Sequence, residues 1–395
     1  MMKWKPRLGE AGNVAVVTAM CLPMVIGGAG YGVEVGWDYY EQVKLQQAAD
    51  AAAFAGAVEQ RRGSADSAVI ATGQDAATTN GSNASIDTVT ISPNGAGANT
   101  VRATISRNEV RIFSEMFTSQ PLTITTTATA ALSTATNACI LALDPSASGA
   151  INFSGNTSTT FNNCVVMSDS ISSSAFNVQG SAQATMPCGY AVGGASTTSG
   201  LTLTACSGVQ TYQSPVGDPF ASLTIPTASG SCLNGNGGNL SPGRYCSGLA
   251  LKNHVTLQPG TYIIDGGSIS ANANADVSGT DVTFVFLNGA TLSLNGNGVF
   301  NLSAPTTGTY AGFLFVGGRT NTGAITINGN SSSSMTGNIY FPNESVSYLG
   351  NYSGTNGCTH IVAKTVQWTG STTVSVDCGS QGLLPIPVGG VTLIG

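Results

Sequence analysis

The apolar positions of this chain fall into successive regimes, each with its own period. Residues 13–36, NVAVVTAMCLPMVIGGAGYGVEVG, are almost continuously apolar. As a helix, its roughly 22 apolar positions span about 33 Å, enough for the hydrocarbon core of a bilayer. The pattern then changes without a break. YYEQVKLQQAADAAAFAGAVEQ, residues 39–60, is rich in strong helix formers and contains no proline. Its Ala48, Ala49, Ala52, Ala53, Ala55, Gly56 and Ala57 leave little bulk on any face, which permits close backbone approach. A single helix running on through both stretches would be about 70 Å long. Trp37, Tyr39 and Tyr40 stand where an aromatic belt would mark the outer membrane interface.

Between 64 and 135 the periods alternate. SADSAVIATGQDAATT reads as a helix capped by Ser64. SIDTVTIS and TVRATISR alternate apolar and polar about the loop PNGAGAN, the pattern of a β-hairpin. EVRIFSEMF reads as a short helix burying Ile112, Phe113, Met116 and Phe117, and LTITTTATAAL as a further strand. Beyond Cys139 the chain becomes a series of short alternating strands around Gly/Asn turns, as in LSLNGNGVFNLSAP and ITINGNSSSSMTGNIYF. These repeat without a fixed period. They predict an all-β parallel β-helix with Val, Ile, Leu and Phe inward and Ser, Thr and Asn outward. A β-sandwich is the alternative. The expected organisation is a tail (1–12), a transmembrane helix (13–37), a helix with a small α/β segment (38–135) and a Ser/Thr/Asn/Gly-rich β-helix domain (136–395).

Composition supports a coil of hydroxyl- and amide-covered strands. Charged residues are only 8%, against about 25% in an ordinary globular protein. The net charge of −6 argues against a nucleic-acid surface. Lys3, Lys5 and Arg7 precede the apolar run, so the N-terminus is expected to stay cytoplasmic and the bulk of the chain to lie outside. A cleaved signal peptide is the alternative, with Gly30 to Gly32 imitating a cleavage site, but the helical pattern continues through it. Gly28, Gly32 and Gly36 form a small-xxx-small stripe, which either lets membrane helices approach closely or reflects only that glycine is common in such helices. Glu34 either reaches the headgroup layer or is paired within the structure.

Cys21 lies in the apolar run; the other eight cysteines lie downstream. No C-x-x-C occurs, and His254 and His360 are the only histidines, so disulfides in an oxidising compartment are favoured over zinc. Eight cysteines allow 105 connectivities. Pairing nearest neighbours gives Cys139–Cys164, Cys188–Cys206, Cys232–Cys246 and Cys358–Cys378, with separations near one coil of a β-helix.

The N-terminal region resembles a known family. A positive tail, GNVAVVTAMCLP, a glycine-rich span and DYYEQVKLQQAADAAAFAGA together look like the N-terminal module of TadE/TadG-like proteins of Flp (Tad) pilus assembly, over about residues 9–58. The resemblance implies a membrane-anchored, pilin-like accessory protein of a bacterial surface pilus, whose partners are the inner membrane and other Tad components. TadE-type relatives carry a glutamate five residues into the processed helix. Here that position is Val17, so the uncleaved, TadG-like branch is the better fit.

Chemistry is sparse. Asp144, Ser146 and Ser148 spell D-x-S-x-S after an apolar strand, resembling the opening of a metal-ion adhesion site. That site needs a doubly wound α/β fold, and an Asp-Pro turn accounts for the same residues. The remaining acids of the β region are Asp169, Asp218, Asp265, Asp276, Asp281, Glu344 and Asp377, scattered and mostly at turns, so no enzyme is expected and no catalytic, cofactor or metal residue is assigned. Tyr348, Tyr352 and Trp368 fall in successive β stretches. They form either an exposed strip for a surface glycan or a stack between coils. Arg319 reads as a solvated loop charge.

Overall fold

A computed structural model describes residues 10–62, 64–132, 136–350, 359–369, 372–375, 386–388 and 390–394. The chain divides into two compact units. One is residues 1–133 together with 391–395; the other is residues 134–390. The last residues, assigned by sequence to the β domain, therefore belong with the first unit.

The first unit is built on one helix, α1 (Glu10–Arg61), which runs through Pro23 and through the change from apolar to alanine-rich sequence. A second helix, α2 (Asp66–Thr79), follows. Three strands, β1 (Asp87–Pro93), β2 (Thr100–Glu109) and β3 (Leu122–Leu132), pair antiparallel in order. The strand Val391–Ile394 completes the sheet antiparallel to β3, with Val391 opposite Leu132. The core holds Leu45, Ala48, Ala49, Ala52, Ala53 and Ala57 of α1 against Val69, Ile91, Val101 and Ile105. The alanine face is thus consumed inside the unit. A Cβ at Gly73 of α2 would come within 3.2 Å of the Ala52 carbonyl oxygen, so small residues on both helices set the close crossing. Ser64 does not cap α2. Its hydroxyl donates to Glu59 at 2.6 Å, and the N-cap position is Ala65.

The second unit is a parallel β-solenoid of about ten turns, covering 140–368, and not a sandwich. A typical turn carries three short strands, one on each of three faces; Gly260–Asp265, Ser268–Ala271 and Asp276–Gly279 make one turn, and Val282–Leu287, Thr291–Ser293 and Val299–Ser303 the next. Corners are turned by non-glycine residues in the left-handed region, among them Asn253, Asp281 and Asn288, whose short side chains tolerate it. Aromatic rings stack inside from turn to turn. Tyr245, Tyr262, Phe284 and Phe315 follow one another with centroids 6.0, 5.3 and 5.5 Å apart.

The turns are not stacked in sequence order. Starting at the strand Thr136–Ala142, the chain coils outward through Val165–Ser168 to Gly189–Ala191. Residues 204–238 then lead to the far end, where Asn239–Leu240 pairs with His254–Leu257. From there the chain coils back towards the middle. Its strand Thr359–Trp368 lies between Ser334–Gly350 on one side and the first turn on the other, with Ile361 opposite Ile140 and Trp368 opposite Phe153.

The long return segment is a strap. Its Val216 and Phe220 pack with Leu141, Met167, Val285, Phe313, Val316, Tyr340 and Val362, which face outward from one sheet of the solenoid. Strands under this cover are apolar on both faces, so Val282–Leu287 and Phe313–Gly317 read as continuous runs, not alternations. The disulfides Cys188–Cys206 and Cys232–Cys246 fasten the strap near its two ends, and Cys139–Cys164 links adjacent turns. All three pairs match the nearest-neighbour expectation. Cys358 and Cys378 lie outside the described residues.

Candidate functional site

The helix α1 presents two unlike halves. From Val14 to Trp37 its side chains are largely exposed; Met24 is 78% and Val33 68% accessible although both are apolar. It is long and apolar enough to cross a membrane, by length and composition. From Glu41 onward one face is buried in the first unit. At Gly28, Gly32 and Gly36, the small-residue stripe, an added Cβ would meet nothing within 4 Å outside the helix itself, so the stripe is open.

Glu34 joins the two halves. Its carboxylate is buried and accepts four hydrogen bonds from one loop: the amides of Ile112 (3.1 Å), Phe113 (3.3 Å) and Ser114 (2.8 Å), and the Ser114 hydroxyl (2.8 Å). Of the two sequence readings for this acid, pairing within the structure is the one found. The loop contains a 3-10 turn, Ser114–Met116, but not the core helix expected. Ile112, Phe113, Met116 and Phe117 are exposed, Met116 and Phe117 to 85% and 88%. Only the ring of Phe113 is laid against α1, over Gly30, where an added Cβ would meet it at 2.5 Å.

A second buried charge cluster lies further along the unit. Arg107 on β2 donates to both carboxylate oxygens of Asp87 (2.6 and 2.8 Å) and to Glu41 of α1. Burial acts to raise the Asp87 carboxyl, but the bonds from Arg107, Asn83 and Ser82 prevail and hold it below the usual carboxylate range. This cluster ties α1 to the sheet.

In the solenoid the candidate residues have structural partners. Asp144 Oδ1 accepts the amides of Ser146 (2.9 Å) and Ala147 (2.8 Å), the turn geometry of an Asp-Pro corner. Among the described residues no group of three or more His, Cys, Asp or Glu side chains is arranged to hold a metal ion. Trp368 and Tyr348 are inside the coil: Trp368 stacks on Phe153 at 4.6 Å and on Tyr348 at 5.9 Å. The exposed aromatic strip is thereby replaced by the stack between coils. Tyr352 lies outside the described residues. Asp276 is not isolated, as its neighbours in sequence implied; His254 stands one turn away with Nδ1 at 3.1 Å.

Sequence reasoning missed the residues that hold the strap. Arg319 is no solvated charge; its guanidinium donates to the carbonyls of Phe220 (3.3 Å), Ala221 and Leu223 (3.1 Å). Asp169 accepts the amides of Val216 and Gly217, both at 2.8 Å. Asp218 accepts the Tyr340 hydroxyl at 2.6 Å, and burial, reinforced by this bond, pushes the phenol well above its ordinary range. Asp169 thus anchors the backbone of the strap, and Asp218 ties the strap to a side chain of the sheet beneath it.

The first unit thus joins an exposed apolar helical stretch to a small-residue stretch of the same helix packed on a sheet. Residues 12–59 match the model of the Tad family, described as "Putative Flp pilus-assembly TadE/G-like". The match covers α1 and leaves the solenoid outside it. No curated protein and no solved structure shows a significant match to the chain.

Proposed function

We propose that this protein is a membrane-anchored structural accessory protein of Flp/Tad pilus assembly and surface adherence. In this reading α1 crosses the inner membrane once with its N-terminus cytoplasmic, and the solenoid, on the outer side, is a scaffold or adhesive head. The observation that carries it is the coincidence of the family match at 12–59 with a helix that is apolar and exposed over its first half. The basic residues ahead of the span support the orientation. The three disulfides fit an oxidising compartment beyond the membrane. The glycan-binding alternative is weakened, because Tyr348 and Trp368 are core residues.

The alanine face of α1 packs within its own unit, so contact with other Tad components falls to the open glycines and the exposed apolar side chains below Trp37. The test is to count thin surface pili by electron microscopy in cells lacking the gene, beside a complemented strain. Lost or shortened pili support a place in assembly. Normal pili with poor adherence move the role to the solenoid. Normal pili and normal adherence refute the proposal.

A further inference from the structure

The loop from Val110 to Phe117 exposes more large apolar surface than any part of the first unit outside the span. Val110, Ile112, Met116 and Phe117 are 79%, 61%, 85% and 88% accessible. They do not face open water at a random place. Phe113 is seated on Gly30 of α1, and the loop and the helix enclose an apolar crevice of about 1060 Å³, lined by Leu22, Ile26 and Tyr31 from the helix and by Phe113, Met116 and Phe117 from the loop.

The depth of this contact follows from helix geometry. Gly30 is seven residues before Trp37, so Phe113 sits about 10 Å below the aromatic belt along the helix axis. Ser114 is held at the level of Glu34, about 4.5 Å below the belt. If Trp37, Tyr39 and Tyr40 mark the interface, the loop tip lies in the acyl region of the outer leaflet. Irregular backbone is tolerated at that depth only when its polar groups are satisfied by protein. Five amides of the loop are satisfied in this way: Glu34 takes those of Ile112, Phe113 and Ser114, and the Ser114 carbonyl takes those of Phe117 and Thr118. The charges limit how far it enters. Arg111 turns its guanidinium to the Gln120 carbonyl (2.7 Å) and the Ser114 hydroxyl (3.1 Å), and Glu115 is exposed, so the insertion is shallow.

We propose that Val110–Phe117 is a membrane-inserted wedge, a second point of attachment whose occupant is the lipid acyl chains of the leaflet that the outer end of α1 crosses. Continuity with the exposed apolar face of α1 identifies lipid as that occupant. Glu34 is the positioning residue that fixes the wedge to the anchor. The inference rests on the reading of α1 as a membrane anchor.

The test is nitroxide scanning of the full chain in phospholipid vesicles, with oxygen and a water-soluble nickel chelate as collision partners. A label on the native Cys21 reports the span. Labels at Met116→Cys and, as a water reference on α2, Gln74→Cys are placed in a background with Cys21, Cys358 and Cys378 changed to serine. The expected result is a ratio of oxygen to nickel accessibility at 116 close to that at Cys21 and about tenfold above that at 74. Gly30→Leu, which evicts the Phe113 ring, should return the label at 116 to the water-like ratio while the Cys21 label stays in lipid. A lipid-like Cys21 with a water-like 116 overturns the wedge and leaves the anchor standing. A water-like Cys21 refutes the anchor itself. A label at 116 shielded from both reagents means that protein, such as a second copy, covers the loop, and this also overturns the proposal.

Discussion

Leu132 and Val391 face each other across an antiparallel pair, so the whole solenoid is inserted between two neighbouring strands of the first unit's sheet. The first unit has its own core of α1, α2 and the sheet. A deletion of 134–390, closed by an Asn-Gly turn between Ser133 and Val391, should therefore leave a folded, membrane-inserted module. Truncation after residue 135 is a poorer experiment, because it also removes the edge strand. Circular dichroism and carbonate extraction of membranes check the prediction. A module that is degraded or extracted would show that the solenoid is needed for the first unit to fold.

Phe220 is the wedge of the strap. Its ring meets Phe313 edge-on at 4.9 Å and Tyr340 at 5.5 Å. Truncating a buried phenylalanine costs about 3–5 kcal/mol. Phe220→Ala should lower the urea midpoint accordingly and increase protease cleavage between the two disulfide-fastened ends, at 207–231. An unchanged midpoint and cleavage rate would mean that the disulfides and Arg319 hold the strap without this side chain.

These residues also show where the sequence is legible. Strand-and-turn alternation in the three-sided coil is local, so the solenoid could be read from stretches such as ITINGNSSSSMTGNIYF; the cysteine pairing could not be selected from sequence, although three of the nearest-neighbour pairs are the ones found. The order of turns could not. Ile140 opposes Ile361 through packing that no local pattern encodes. Hence Asp169, Asp218 and Arg319 looked like loose charges when they bind a segment distant in sequence. One signal was available: VTFVFL, broken only by Thr283, and FLFVG are runs of apolar residues where neighbouring strands alternate, and two-sided burial requires a cover. The loop at 110–117 misled for a related reason. Apolar spacing implies burial only if water is the surrounding solvent.

Trp368 closes the seam where the returning chain meets the first turn. It stacks between Phe153 and Tyr348, with Phe161 edge-on at 5.7 Å. Trp368→Ala is expected to cost about 3–5 kcal/mol, seen as a lowered thermal midpoint. Trp368→Phe, which keeps a ring in the stack, should recover much of it. If Trp368→Ala melts as the parent does, the seam is not a stabilising contact.

Arg107 neutralises a pair of acids inside the first unit. Arg107→Met leaves Asp87 buried without its cation and Glu41 with only Lys44, at 3.8 Å, and loss of one partner from such a cluster costs about 3–5 kcal/mol. The pH dependence has a definite sign. Because the folded Asp87 carboxyl is depressed, its contribution is present above about pH 4, the unfolded value, and is lost as pH falls through the lower folded value. Acid unfolding of the 134–390 deletion should begin at higher pH in Arg107→Met than in its parent. Coincident acid transitions would remove the cluster from the stability of the unit.

Glu344 carries the opposite sign. It is buried beside Gly317, accepts Asn321 Nδ2 at 2.7 Å and has no cation at hydrogen-bond distance among the described residues. Burial pushes its carboxyl from 4.5 up to about 7, with the hydrogen bonds from Asn321 and the Asn343 amide acting the other way. The unfolded chain releases this proton near its ordinary value, while the folded chain retains it until about pH 7. Protons bound in the folded state then exceed those in the unfolded state between the two values. Stability from this group is therefore full below about pH 4.5 and declines as pH rises through about 7, by at most about 3 kcal/mol. Glu344→Gln imitates the protonated acid. Its thermal midpoint should match the parent at pH 5 and exceed it at pH 8. A constant difference across that range, or a lower midpoint for the variant at pH 8, would show that the ionised carboxylate is accommodated in the fold.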